Sequence, residues 1–125
     1  PTVKMTYVSI STALTSDYEN IYFVDVVSNH YLEFFSGKNG DLEIRPGGTD
    51  FFGEAKVTIL EDVSEDDVKI VDDALSKSNL VRCAGEDETF TITFKRMKGG
   101  TLKEYTLQTI KTRSDDKHHI VIGVK

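Results

Sequence analysis

Two adjacent histidines, His118 and His119, follow two acidic residues near the end of the chain and suggest a metal site. Imidazole nitrogens and carboxylate oxygens are common protein ligands of zinc and other divalent metals. The residues that follow, IVIGV, predict a strand, in which successive side chains point to opposite faces of a sheet. Neighbouring histidines that face apart cannot both bind one ion, and Asp115 and Asp116 in the preceding turn can reach only one of them. We therefore expect a final strand that opens at the histidines, and no metal site.

The other polar clusters do not have the spacing of a known catalytic or binding motif. The acidic runs LEDVSEDD and VDD lack the alternating ligands and the glycine of an EF-hand, so they predict a solvated helix face. The glycine pairs at 47–48 and 99–100 belong to no phosphate-binding loop and predict turns. No GxSxG or HExxH motif is present, and Asp25, embedded in an apolar strand, is interpreted as a hydrogen-bonding residue near a hairpin. We expect no enzyme, with a small α+β enzyme that encloses a cavity as an alternative.

Composition sets the class of protein. A chain of 125 residues with 38% hydrophobic and 29% charged residues is typical of one globular domain. A single cysteine excludes an internal disulfide and favours the cytoplasm, and no apolar stretch is long enough to cross a membrane. The net charge of −6, with scattered basic residues, argues against a nucleic-acid partner.

Residues 1–18 predict an N-terminal amphipathic helix. Val3, Tyr7, Ile10 and Leu14 recur at the spacing of one helix face, which is also a coiled-coil seam. Many threonines and serines make this helix weak on its own, so it needs a surface to lie on. It would cover the outer face of a sheet or pair with a second copy, and a homodimer is therefore expected.

The rest of the sequence predicts five strands and two helices. ENIYFVDVV and HYLEFF, joined by SN, predict a hairpin, and the turn-rich SGKNGDLEIRPGG predicts a loop. A short helix capped by Thr49 or Asp50 precedes a long helix from Ser64 to Asn79. The buried faces of these helices are predicted to be Phe52, Ala55, Ile59 and Leu60 in the first, and Val68, Val71, Ala74 and Leu75 in the second.

Three strands end the chain: ETFTITFKRM, LKEYTLQTIKTR and KHHIVIGVK, separated by the turns KGG and SDD. Short turns force neighbouring strands to run antiparallel. The predicted fold class is therefore α+β, with one five-stranded antiparallel sheet, short helices across one face, and an N-terminal helix.

This order of elements resembles a PAS domain, of the sensor type found upstream of GGDEF (diguanylate cyclase) and related bacterial signalling modules. The matching segments are YENIYFVDVVSNHYLEFF, DFFGEAKVTILEDVSEDDVKIVDDAL, ETFTITFKRMKGGTLKEYTLQTIKTR and DDKHHIVIGVK, which span most of residues 18–125. One departure is Val63-Ser64-Glu65-Asp66, where the family usually carries His-Pro-Glu-Asp or Tyr-Pro-Glu-Asp. The resemblance implies a PAS-like domain at 19–125 behind the helix at 1–18, cut from a longer signalling protein.

The resemblance also bears on cofactors. Some PAS domains bind haem through a histidine on a pocket helix, but neither middle helix predicted here contains one, and His30 lies in the hairpin. Cys83 lies outside the Asn-Cys-Arg-Phe-Leu motif of light-sensing flavin domains and is interpreted as a small, partly buried residue. Haem and a cysteinyl-flavin are disfavoured, and the cofactor is unknown.

The resemblance implies a sensory module that binds a small ligand or a partner and relays a conformational change through its last strand to a C-terminal output module. A PAS domain that binds no small ligand and acts as a dimerisation or protein-interaction relay is the alternative. Residues predicted to line a ligand cavity between helices and sheet are Phe52, Leu60, Val71, Leu75, Phe90, Phe94, Tyr105 and Leu107. A fully packed core is the other interpretation of the same residues.

Overall fold

The structure, a computed structural model, describes residues 18–37, 42–111 and 117–125. The N-terminal helix predicted for residues 1–18 therefore falls almost wholly outside the described residues, as does the predicted SDD turn. The described strands are β1 (Asn20–Asp25), β2 (Tyr31–Ser36), β3 (Leu42–Gly48), β4 (Thr91–Lys98), β5 (Thr101–Thr109) and β6 (His119–Val124). Between β3 and β4 lie α1 (Ala55–Glu61), a 3₁₀ turn (Glu65–Asp67), α2 (Val68–Ala74) and α3 (Lys77–Glu86). None of these helices has the length and apolar character needed to span a membrane.

All six described strands form one antiparallel sheet in the order β3-β2-β1-β6-β5-β4. The predicted α+β class, the β1–β2 hairpin and the three C-terminal strands are confirmed. The turn between β4 and β5 contains Gly99 and Gly100, both with positive φ, which glycine adopts without steric cost.

The predicted number of strands was wrong, because the segment interpreted as a loop contributes β3. This strand lies at the edge of the sheet, where Pro46 is tolerated since no ladder hydrogen bond is needed on the open side. Its pairing with β2 shifts register between Tyr31 and Glu33. A Cβ at Gly47 would lie 1.6 Å from the Tyr31 carbonyl oxygen, so only glycine fits there. The turn residues of the sequence thus build an irregular edge strand.

The long helix predicted from Ser64 to Asn79 was also wrong, because the chain breaks it at Leu75. Ser76 lies at the N-cap of α3, where its Oγ accepts a hydrogen bond from the Asn79 N–H (3.2 Å). Serine is a strong N-cap and a mediocre interior residue, so a new helix starts there. Asn79, predicted to end a helix, instead lies in the first turn of the next one and donates from Nδ2 to the Ala74 carbonyl.

The first part of the predicted long helix agrees better with the structure. Ser64 precedes the 3₁₀ turn at its N-cap, although its side chain accepts no backbone N–H there. Of the predicted buried stripe, Val71 and Leu75 are fully buried and Ala74 is partly buried, but Val68 is exposed. In the shorter helix α1, Ala55 and Ile59 are buried as predicted.

The sheet has two faces, and the helices cover one of them, here called the inner face. Strand alternation sends Tyr22 and Val24 to the inner face, and Ile21 and Phe23 to the opposite, outer face. The buried residues of the inner core are Tyr22, Val24, Val26, Phe51, Ala55, Ile59, Val63, Val71, Leu75, Leu80, Cys83, Phe94, Tyr105, Leu107, Ile120, Ile122 and Val124. A separate outer cluster consists of Tyr18, Ile21, Phe34 and Val121.

Candidate functional site

The eight predicted ligand-binding residues come together on the inner face as parts of one packed core. Val71, Leu75, Phe94, Tyr105 and Leu107 are buried in this core, and Phe52, Leu60 and Phe90 pack against it. The Phe94 and Tyr105 rings stack with their centroids 6.0 Å apart. None of the eight lines any of the three clefts described for the molecule. Their role in ligand binding therefore stays a prediction.

A cleft of about 440 Å³ opens at one end of the outer face, beside the β1–β2 turn. This volume is within the range of about 300–1,000 Å³ that small-molecule sites usually have. The lining residues are Phe23, Asp25, Ser28, His30, Tyr31, Leu32, Gly47, Gly48, Thr49 and His119. Sequence reasoning missed this site, and we call it the outer cleft.

Two adjacent central strands form the floor of the outer cleft. Phe23 and Asp25 are two residues apart on β1, so both side chains point to the outer face. His119, the first residue of β6, is paired directly with Asp25. The His119 imidazole and the Phe23 ring lie parallel, with an interplanar angle of 1° and centroids 4.6 Å apart. The floor is thus a stacked pair of flat rings beside a carboxylate.

Asp25 is held in place by the turn that follows it. Its Oδ1 accepts hydrogen bonds from the backbone N–H groups of Val27 (2.9 Å) and Ser28 (3.1 Å), which confirms the predicted hydrogen-bonding role near the hairpin. Its Oδ2 lies 3.6 Å from His119 Nε2. Burial raises the pKa of Asp25, but the hydrogen bonds from Ser28 and Val27 and the nearby His119 outweigh it and lower the pKa below its usual value. The cleft therefore contains a fixed carboxylate that is ionised at neutral pH.

A second carboxylate lies behind the opposite wall, which Tyr31 and Gly48 form. A Cβ at Gly48 would lie 1.9 Å from Glu54 Oε1, so the absence of a side chain there lets this carboxylate approach the backbone. Burial raises the pKa of Tyr31, and the charge of Glu54 and a hydrogen bond with it raise it further. The Glu54 carboxylate therefore lies beside the Tyr31 ring on the inner side of this wall, outside the lining of the cleft.

The paired histidines at the end of the chain have separate environments. His119 lies on the floor of the outer cleft, whereas His118 precedes the strand and accepts a hydrogen bond at its carbonyl oxygen from Val26 N–H (2.7 Å). Within the described ranges, no group of three or more His, Cys, Asp or Glu side chains is placed to hold a metal ion. The acidic partner that reaches His119 is Asp25, whereas Asp115 and Asp116 lie outside the described residues. The sequence held no signal for this pairing, since it depends on β1 lying beside β6.

Cys83 and His30, the residues considered for cofactors, lie in different elements of the fold. Cys83 is buried in α3, a helix that the sequence did not predict, and burial raises the pKa of its thiol. A protonated, buried thiol is a poor nucleophile. His30 is exposed and lines the outer cleft beside Ser28, whose hydroxyl accepts a hydrogen bond from the His30 backbone N–H.

One buried charge, Glu33, lies on the inner side of β2 and was not predicted. Its Oε2 accepts hydrogen bonds from Asn20 Nδ2 (2.6 Å) and Arg45 Nη1 (3.1 Å). Burial, together with the charge of Glu33, raises the pKa of Tyr22 far above its usual value. Since neither Glu33 nor Tyr22 lines any of the three clefts, we interpret this group as structural.

Comparison with known proteins adds no family: no family model matches the chain, and no curated protein or solved structure matches it significantly. A function for the chain therefore has to be inferred from its fold and from the outer cleft.

Proposed function

We propose that the chain is a sensory module of a bacterial signal-transduction protein, a PAS-type domain that binds a small ligand and relays a conformational change through β6 to an output module. The observation that carries this proposal is the position of His119. It is the first residue of β6, and it also lines the outer cleft. A ligand in the cleft would touch the last strand directly.

The position of β6 supports a relay. It lies between β1 and β5 in the middle of the sheet, and every residue from His119 to Val124 is paired with β1. Past its end, Lys125 exchanges two backbone hydrogen bonds with Thr106. A strand of this length spans roughly 20 Å. A displacement of His119 would thus be carried along a well-paired strand to the far end of the sheet.

The chemistry of the cleft supports binding rather than catalysis. Ser28 lies beside the histidines on the turn side, and its hydroxyl is engaged with the Asp25 carboxyl and the His30 backbone N–H. A serine nucleophile is activated by a hydrogen bond to a basic side chain such as an imidazole, which is a different arrangement from the one Ser28 adopts. We therefore propose a non-enzymatic domain with no metal and no haem or cysteinyl-flavin.

The packing of the inner core favours one alternative, a PAS domain that binds no small ligand and relays contacts between protein partners. Val71, Leu75 and Leu107 have no exposed surface, which supports a packed core at the position of the predicted inner cavity. Such a module would function as a homodimer. The stripe proposed to form that dimer, from Val3 to Leu14, lies outside the described residues and stays a prediction.

Native mass spectrometry of freshly purified, never-unfolded protein tests the proposal. We expect a small molecule to co-purify, and we expect the variant Phe23→Ala to lose it because the floor of the cleft loses its ring. Leu102→Ala is the matched control, since Leu102 is exposed on β5 and lies outside the lining of the cleft. Bare protein in a stable dimer would favour the relay without a ligand.

Hydrogen exchange tests the relay itself. Ligands shift a conformational equilibrium only when they bind two arrangements unequally. We therefore expect the amides of β6 to exchange at different rates in the ligand-loaded and ligand-stripped protein. Equal rates along β6, with the ligand bound in the outer cleft, would overturn the relay.

A further inference from the structure

We infer that the outer cleft binds a small, planar aromatic cation, such as an aromatic amidine or a protonated aromatic amine. This inference names the class of ligand for the proposed sensory function and rests on that function for its biological meaning. Two features of the cleft lead to it: flat apolar surfaces and an oriented carboxylate.

The flat apolar surfaces of the outer cleft favour a ligand that contains an aromatic ring. Phe23 and Leu32 are paired across β1 and β2 and point to the outer face, and both line the cleft. The parallel stack of Phe23 on His119 fixes the orientation of the aromatic floor. Aromatic rings gain from stacking or edge contacts at centroid distances of about 4.5–7 Å. A planar ligand uses these surfaces better than a flexible one, because it loses less conformational entropy on binding.

The carboxylate of Asp25 favours a positive charge with N–H donors. Its Oδ1 accepts hydrogen bonds from two backbone N–H groups, and the Ser28 hydroxyl also hydrogen-bonds to the carboxyl, so the orientation of Oδ2 is fixed. Oδ2 lies 3.6 Å from His119 Nε2, which is too long for a direct hydrogen bond but within ion-pair distance of a protonated imidazole. A cation with N–H donors could therefore bind this oxygen through a charge-assisted hydrogen bond, and no reorganisation of the turn would be needed.

Other charged groups of both signs lie around the cleft. Glu54 lies behind Gly48 and Tyr31, and Asp50 also contributes negative charge at Tyr31. Lys77 is a cation on the turn side, and its Nζ is directed to Asn29 Oδ1 (2.7 Å). The remaining basic groups of the lining are the two imidazoles. The net charge of −6 adds a general attraction for cations.

A titration with benzamidine, followed by amide resonances in nitrogen-labelled protein, tests this inference. Benzoate and benzyl alcohol are matched anionic and neutral probes of similar shape. We expect benzamidine to shift the resonances of Phe23, Asp25 and Leu32 in a saturable way, and the other two probes to bind at least about tenfold more weakly. Benzoate binding as tightly as benzamidine, or saturable shifts confined to other surfaces, would overturn the inference.

Two variants separate charge from shape. Asp25→Asn keeps an oxygen for the Val27 and Ser28 N–H groups and removes the charge, so we expect about tenfold weaker benzamidine binding. Asp66→Asn removes the same charge from the exposed 3₁₀ turn and should leave binding unchanged. Equal affinity in Asp25→Asn and the parent would contradict the role of the carboxylate.

Failure of this titration is distinguishable from failure of the proposed function. Absence of saturable benzamidine binding at millimolar concentration would reject a cationic aromatic ligand. A co-purified molecule of another class that still changes exchange in β6 would leave the sensory function intact.

Discussion

The two faces of the sheet differ in how fully their side chains are committed to the fold. On the inner face, three helices and the sheet bury a continuous core, and the residues predicted to bind a ligand are buried in this core or pack against it. On the outer face, the buried cluster among the described residues is limited to Tyr18, Ile21, Phe34 and Val121, and polar and aromatic groups meet in a cleft at one end. The same strands supply both faces through alternation. The inner face thus stabilises the domain, and the outer face presents an open cleft.

The largest expected effect is on the inner face. Phe94 is 2% exposed, and Phe94→Ala should lower the free energy of unfolding by about 3–5 kcal/mol because it leaves a cavity in the core. Met97, three residues further on the same strand, is 46% exposed. Met97→Ala should therefore change the free energy of unfolding by less than about 0.5 kcal/mol. Denaturant unfolding measures both values. Similar losses for the two variants would mean that the inner face is not a close-packed core.

A glycine on β6 tests how tightly the outer face is packed. A Cβ at Gly123 would lie 2.4 Å from carbons of the Tyr18 ring and 2.9 Å from Ile110 Cδ1. Because these contacts are too short, Gly123→Ala should lower the free energy of unfolding by about 1–3 kcal/mol. Gly85→Ala is the control variant, and it is expected to raise the free energy of unfolding. A Cβ at Gly85 would meet no atom of the described residues within 4 Å, and alanine is favoured by about 0.5–1 kcal/mol inside a helix. A neutral Gly123→Ala would show that Tyr18 is not fixed against the outer face.

The helices that cover the inner face depend on the break at Ser76. Ser76→Ala removes the acceptor for the Asn79 N–H and should cost about 1 kcal/mol. Ser64→Ala should cost less, since the Ser64 side chain accepts no backbone N–H at the start of the 3₁₀ turn. Thermal or denaturant unfolding of the two variants compares them. A larger loss for Ser64→Ala would indicate that the long continuous helix predicted from the sequence forms after all.

The smallest effect is expected at Asp25 and depends on pH. Its folded pKa is lowered, so its carboxylate contributes stability above the unfolded pKa of about 3.9, and this stability is lost as the pH falls through the folded pKa. The parent should therefore be more stable than Asp25→Asn at pH 7, and the difference should shrink below about pH 4. A difference that is constant between pH 7 and pH 3 would contradict the assigned cause.

The alternation of side chains along the strands and the hairpin turns could be predicted from the sequence, but the arrangement of distant segments in the sheet could not. The inward residues of β4 and β5, such as Phe94 and Leu107, were predicted because a period of two is a local pattern. The strand β3 was missed because its glycines and Pro46 are typical of loops, and only its edge position and shifted register make them acceptable. The break at Ser76 was missed because the polar residues 76–79, which follow the stripe, were interpreted as the last turn of the same helix.

The outer cleft shows a different limit. Each of its main residues was noticed singly: Asp25 as a hydrogen-bonding residue, and His30 and His119 as doubtful ligands. What joins Asp25 to His119 is the pairing of β1 with β6, the first and last strands of the described chain. Contacts between such distant segments depend on tertiary packing, which local periodicity does not encode.

Both edges of the sheet carry features that oppose further strand addition. In the second half of β4, the connection between α1 and α2 pairs with outward backbone groups: Ser64 N–H donates to the Lys95 carbonyl, and Met97 N–H donates to the Asp62 carbonyl. On β3, Pro46 and the shifted register interrupt the hydrogen-bonding template. Exposed regular edges invite edge-to-edge aggregation and β-augmentation by peptides. These features disfavour extension of the sheet at Lys95 and Met97 on one edge and at Pro46 on the other.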